Sequence, residues 1–178
     1  MEEKLFPYLN KFPQIVPGVF LASGVKIIGD VEIEKDSSIW YNSVIRGDIN
    51  YVRIGSLTNI QDNCVLHVTG KNPLVVGNKV TVGHSAILHG ATIMDLTLIG
   101  IGGIVLEGSV IEEKSIVAAG AVIKPDFIVP SGKLAAGVPA KVVRNLTDEE
   151  LNEFEDLANR YKEYANLSYN SIGIRNQR

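Results

Sequence analysis

Aliphatic side chains recur at every sixth position along most of this chain. Ile15, Leu21, Ile27, Ile33, Ile39 and Ile45 form one run; Ile54, Ile60 and Leu66 a second; Val76, Val82, Leu88 and Met94 a third. The frame then shifts by one and continues through Ile99, Val105, Ile111, Val117, Ile123 and Val129, with Ala135 closing it. Four residues after most of these anchors stands a small or β-branched residue: Val31, Ser37, Ser43, Thr58, Cys64, Val80, Ala86, Thr92, Gly103, Ser109, Ser115 and Ala121. An α-helix spaces its apolar positions by about three and four residues, and the strands of a sandwich recur at about eight to twelve. Neither produces a strict six. Six residues supply one short strand and one corner, so three hexads close a triangular coil in which anchors point inward and each coil covers the next. The pattern predicts an all-β solenoid.

A solenoid accommodates extra residues only at its corners. The breaks in the period predict two loops, one at residues 49–53 and the other Thr69-Gly70-Lys71-Asn72-Pro73, whose Gly and Pro suit a turn. After Ala135 the segment Ala136-Gly137-Val138-Pro139-Ala140-Lys141 abandons the period and is expected to lead out of the last coil. A helix follows. Thr147 and Glu150 form a capping box, Leu146 and Leu151 a hydrophobic staple, and Leu151, Phe154, Leu157, Ala158, Tyr161 and Ala165 one apolar stripe to be buried on a solenoid flank. The expected organisation is therefore a β-helix domain with a short lead-in over residues 1–140, a packed helix over 141–167, and a patternless tail over 168–178.

Composition narrows the function. A chain of 178 residues makes one domain, and a formal charge of -3 offers no basic field for nucleic acid or an anionic membrane surface. Met1-Glu2-Glu3-Lys4-Leu5 is charged and followed by prolines, so it reads as neither signal peptide nor anchor, and no apolar run reaches the length of a membrane span. The lone Cys64 can form no internal disulfide and suits a reducing compartment, so a cytoplasmic location is expected.

The three histidines carry the candidate chemistry. His67 and His89 each follow an inward anchor directly, Leu66 and Leu88, so both side chains point out of the coil near a corner. Those anchors are separated by one coil plus the extra residues of the second loop, which stacks the two imidazoles in successive coils at roughly 4.8 Å. His84 belongs to the preceding corner, five extended residues from His89, or roughly 16 Å at about 3.3 Å per residue. If all three bind one metal ion, His84 must come from another copy of the chain, and a cyclic homotrimer supplies it three times over. Three imidazoles leave a fourth position open for water, as in catalytic zinc sites; Zn2+ suits the donors best, and Co2+ or Fe2+ also fit.

The order Arg46-Gly47-Asp48, Asn59-Ile60-Gln61-Asp62-Asn63, Leu66-His67, Gly83-His84 and His89 resembles the gamma-class carbonic anhydrases, which are built on a left-handed parallel β-helix of hexapeptide repeats followed by one C-terminal α-helix. The resemblance covers residues 15–167. It implies reversible hydration of carbon dioxide to bicarbonate, with His67 and His89 ligands from one subunit and His84 from the next. It further implies that Gln61 orients the attacking water, that Asn59 helps position water or bicarbonate, and that Asp62 assists this network. Arg46 and Asp48 would tie subunits together beside the site, and Tyr161 would reach toward the metal pocket. One departure stands out: Ile49 follows Asp48 and the loop at residues 69–73 has no acid, so no proton shuttle is evident. That departure leaves room for a catalytically quiet metal-binding trimeric scaffold, while the hexapeptide repeat by itself is shared with acyltransferases that use a single histidine as general base.

Overall fold

The coils of the solenoid lay strand segments on three parallel faces, short and separate in most coils but continuous from the first face to the second in Lys26–Ile33 and Val44–Ile54. The first face aligns Ile27, Ile45, Leu66, Leu88, Val105 and Ile123 in register; the second aligns Ile33, Ile54, Val76, Ile93, Ile111 and Val129. The third aligns Leu21, Ile39, Ile60, Val82, Ile99, Val117 and Ala135. All of these except Leu21, near the open end, are buried, and burial of each large aliphatic side chain contributes about 1.5–3 kcal/mol. The computed structural model, which describes residues 4–175, is thus a left-handed parallel β-helix of about seven coils with one C-terminal helix. Met1-Glu2-Glu3 of the leader and residues 176–178 of the tail lie outside the described residues.

Where the small residue of a hexad is polar, it has a second task beyond filling space. At the corners, backbone groups turn inward and need partners. The Ser43 hydroxyl accepts the Cys64 amide (3.1 Å) and donates to the Gln61 carbonyl (2.7 Å), while Thr58 does the same for Val80 (3.1 Å) and Gly77 (2.7 Å). Cys64 continues the ladder, its thiol 3.2 Å from the Gly83 carbonyl. Burial pushes that thiol up to about 12. Outside this ladder the chain turns through left-handed residues such as Asn63 and Ser85, each with φ 60°.

All irregularity in the period falls at one corner, between the first and second faces. Ile45 to Ile54 holds three extra residues, Leu66 to Val76 four extra, and Leu88 to Ile93 one fewer than six. The last of these corrects the sequence reading: Met94 is 41% exposed, and Ile93 takes the core position, with Ala91 rather than Thr92 as its small buried companion. Gly90 is the cause. Its φ of 58° closes the corner tightly, and a Cβ there would meet the Asn72 carbonyl oxygen at 3.1 Å. Residues 49–53 also differ from expectation, because Val44–Ile54 is one continuous strand. Its extra residues bulge between the pairs Gly29–Gly47 and Val31–Val52, leaving Ile49 and Tyr51 exposed. The loop through Gly70 does leave the coil, closed by the Asn72 amide on Thr69 Oγ1 at 2.8 Å.

After the last coil the chain turns back instead of leaving. Lys133–Gly137 pairs antiparallel with Ala140–Asn145, a hairpin that ends the third face. Helix Asp148–Arg175 follows, and its capping box forms as read: the Glu150 amide donates to Thr147 Oγ1 (3.3 Å) and the Thr147 amide to Glu150 Oε2 (2.9 Å). Its buried stripe of Phe154, Ala158 and Ala165 lies along the third face, flanked by Lys79–Glu155 (2.8 Å) and Lys162–Asp36 (3.1 Å) pairs. The helix also runs past Leu167 to Arg175, through residues read as tail. Once nucleated, a helix propagates by one hydrogen bond per residue and needs no apolar stripe to do so.

Candidate metal centre

The two histidine corners are built differently. At the irregular corner, His67 ends strand Val65–His67 and His89 ends strand Ile87–His89, and the two pair directly in the parallel ladder. Their ring centroids lie 5.3 Å apart with planes tilted by 36°. Arg46 occupies the same rung one coil below His67. The outward bulge after Gly47 brings Asp48 back over this stack, where Oδ1 lies 3.0 Å from His67 Nε2 and Oδ2 accepts from Arg46. Burial pushes the Asp48 carboxyl up, but the bonds from His67, the Ile49 amide and Arg46 outweigh it and hold the group below the usual carboxylate range.

His84 stands at the corner between the third and first faces. Its Nδ1 is 2.7 Å from Asp62 Oδ2, one coil below, and Asp62 Oδ1 accepts the Tyr41 amide at 3.2 Å. Gln61 is buried beside Asp62, its Nε2 donating to Asn59 Oδ1 (3.1 Å), and Asn59 Nδ2 in turn donates to Thr81 Oγ1 (2.8 Å). Asn59, on a strand that the helix packs against, is thus linked to the corner through Gln61. Tyr161 packs edge-on to Trp40, with centroids 5.8 Å apart, in a groove of about 380 Å³ shared with Asp62, His84 and Tyr164. Burial raises the Tyr161 hydroxyl above its ordinary value, and the nearby Asp62 charge adds to this.

Within one chain the structure brings Arg46, Asp48, His67 and His89 together at one corner, and Asn59, Gln61, Asp62, His84 and Tyr161 at the other. Among the described residues, no group of three or more His, Cys, Asp or Glu side chains is gathered to hold a metal ion. The donor chemistry nonetheless suits one. Each imidazole carries a carboxylate on one ring nitrogen and has no partner among the described residues on the other, which is Nδ1 of His67 and Nε2 of both His84 and His89. The third carboxylate, Glu107, was not singled out in the sequence. Its Oε2 lies 3.5 Å from His89 Nδ1, and its own backbone amide together with His89 holds it below the usual range. The period alone did not point to it: Leu88 pairs with Val105, so Glu107 stands two residues past its anchor where His89 stands one past, and only the shortened corner at Gly90 brings the two together.

A hexapeptide-repeat β-helix with histidine–carboxylate pairs at two successive corners is the class this geometry defines. No protein-family model matches the chain. Individual proteins do. It is 44% identical over 170 residues to the mitochondrial gamma carbonic anhydrase 2 of Arabidopsis thaliana, a match covering 92% of this chain and 60% of that longer protein. It is 45% identical over 159 residues to a carbonic anhydrase of Geobacillus kaustophilus, covering 89% of this chain and 87% of the relative. The solved structure of a hexapeptide transferase family protein from Anaplasma phagocytophilum superimposes with a TM-score of 0.90 at 42% identity, over 93% of this chain and 98% of that one. The chain belongs to the gamma carbonic anhydrase family.

Proposed function

We propose that three copies of this chain assemble and hold divalent metal, zinc in the first place, with His67 and His89 of one copy and His84 of the next, for the reversible hydration of carbon dioxide to bicarbonate. The observation that carries the reading is the separation of the histidines: two stacked in register and the third at another corner, each with one ring nitrogen that has no partner among the described residues. A bound divalent ion supplies Lewis-acid activation of water. The chain's own residues do the rest. Asp48 and Asp62 fix the rings of His67 and His84, and Arg46 holds Asp48 in turn. Gln61, its amide anchored through Asn59 to Thr81, presents its carbonyl oxygen to orient the attacking water. Water adds to the carbon of carbon dioxide, and one proton leaves for bulk solvent. The Trp40–Tyr161–Tyr164 wall gives the apolar substrate an aromatic surface to approach along beside His84. Buried Cys64 suits a reducing compartment such as the cytoplasm.

The test is metal content and stopped-flow carbon dioxide hydration on the same chelator-free preparation. Near one metal per chain with turnover supports the reading, and His84→Ala must lose both. Mixing His84→Ala with His67→Ala chains should regenerate a fraction of intact sites, which only a site shared between copies permits. A metal-loaded trimer without turnover over a range of pH would leave the quiet scaffold. Tight binding of acetyl-CoA would favour instead a transferase, the activity for which the family of the Anaplasma protein is named.

A further inference from the structure

We propose that Glu107 is the positioning residue of His89, accepting its Nδ1–H so that Nε2 is the nitrogen presented outward for a metal ion. This rests on the metal site proposed above. The observation behind it is geometric. Asp48 lies against His67 and Asp62 against His84, so without Glu107 His89 would be the one imidazole of the three with no carboxylate. The backbone holds Glu107 where this contact is possible: the Gly108 amide donates to the Gly90 carbonyl (2.8 Å), and the Glu107 carbonyl accepts the Asp126 amide (3.0 Å). Glu107 is thereby clamped between the coil carrying His89 and the coil beyond. On its other side the His89 ring meets His67, so the carboxylate and the neighbouring ring bracket it. The 3.5 Å between Oε2 and Nδ1 is at the outer limit of a direct hydrogen bond, and the half-exposed Glu107 side chain has rotational freedom to shorten it.

The Nδ1–H tautomer is the less favoured form of a free imidazole side chain, so selecting it has a measurable signature. Ring-nitrogen NMR on metal-free, full-length protein should show His89 as the Nδ1–H tautomer and a shift toward Nε2–H in Glu107→Ala. Cobalt titration followed by visible absorption supplies the second readout. Glu107→Gln should weaken cobalt binding about 10- to 100-fold, the usual cost of losing a ligand's outer carboxylate, and Glu107→Asp should recover most of it. Glu34→Gln, an acid elsewhere on the solenoid, should bind as the parent does. If His89→Ala abolishes cobalt binding while Glu107→Gln binds like the parent and the His89 tautomer is unchanged in Glu107→Ala, Glu107 has no such role and the metal site stands. If the parent binds no cobalt and His89 is not the Nδ1–H tautomer, both ideas are overturned together.

Discussion

Replacing Ser43 by alanine should test the corner ladder on which the candidate site is built. The side chain is buried and its hydroxyl serves two backbone groups, accepting the Cys64 amide at 3.1 Å and donating to the Gln61 carbonyl at 2.7 Å. Alanine leaves both without that partner, in a space that one missing oxygen makes too small to admit water. An unsatisfied buried donor or acceptor costs about 1–3 kcal/mol, so two of them should cost about 2–4 kcal/mol after partial relaxation. Urea unfolding at fixed chain concentration, followed by the fluorescence of the single Trp40, reads the change as a lower midpoint with an unaltered slope. Ser56→Ala is the control. Its hydroxyl bonds the exposed Asn78 side chain at 3.0 Å, and its loss should stay within about 0.5 kcal/mol. A Ser43→Ala cost below about 1 kcal/mol, or one equal to the control, would refute the idea that these hydroxyls satisfy the corners.

Two further outcomes follow from the charge and thiol environments. The Arg144 guanidinium, with the Thr147 amide, lowers Glu150 to about 2. Because that folded value lies below the unfolded one, the stabilisation is fully present above about pH 4.3 and is lost as pH falls toward 2. Glu150→Gln should flatten this part of the acid-denaturation curve, measured by helical circular dichroism. Cys64, with its thiol pushed up to about 12, should resist iodoacetamide at pH 8 in native protein and react once urea has unfolded the chain; rapid labelling of the native form would contradict its burial.

The hexad period made the core readable because anchors in successive coils occupy equivalent sites: Leu66 and Leu88 pair as the spacing requires, and His67 and His89 follow them into register. The same counting went wrong by one at Met94. A shortened corner and an ordinary one look alike until the left-handed Gly90 shows where the residue is missing. The strand continuing through residues 49–53 was hidden for a related reason, since a bulge and a loop both interrupt the period. The hairpin after Ala135 and the last turns of the helix lacked any apolar periodicity, so nothing local announced them.

By itself the sequence determined what repetition controls: the solenoid, its inward face, the capped helix and the stacking of two histidines, each a consequence of spacing along the chain. The tertiary structure decided which groups meet across coils. Asp48 reaches His67 only because three extra residues bulge from the strand, and Asn59, on a strand that the helix packs against, is linked to the corner by its bond from Gln61. Glu107 meets His89 because backbone bonds clamp one corner over the next. Side-chain contacts between coils depend on corner geometry, which a difference of one residue changes, and a repeat of apolar anchors carries no record of it.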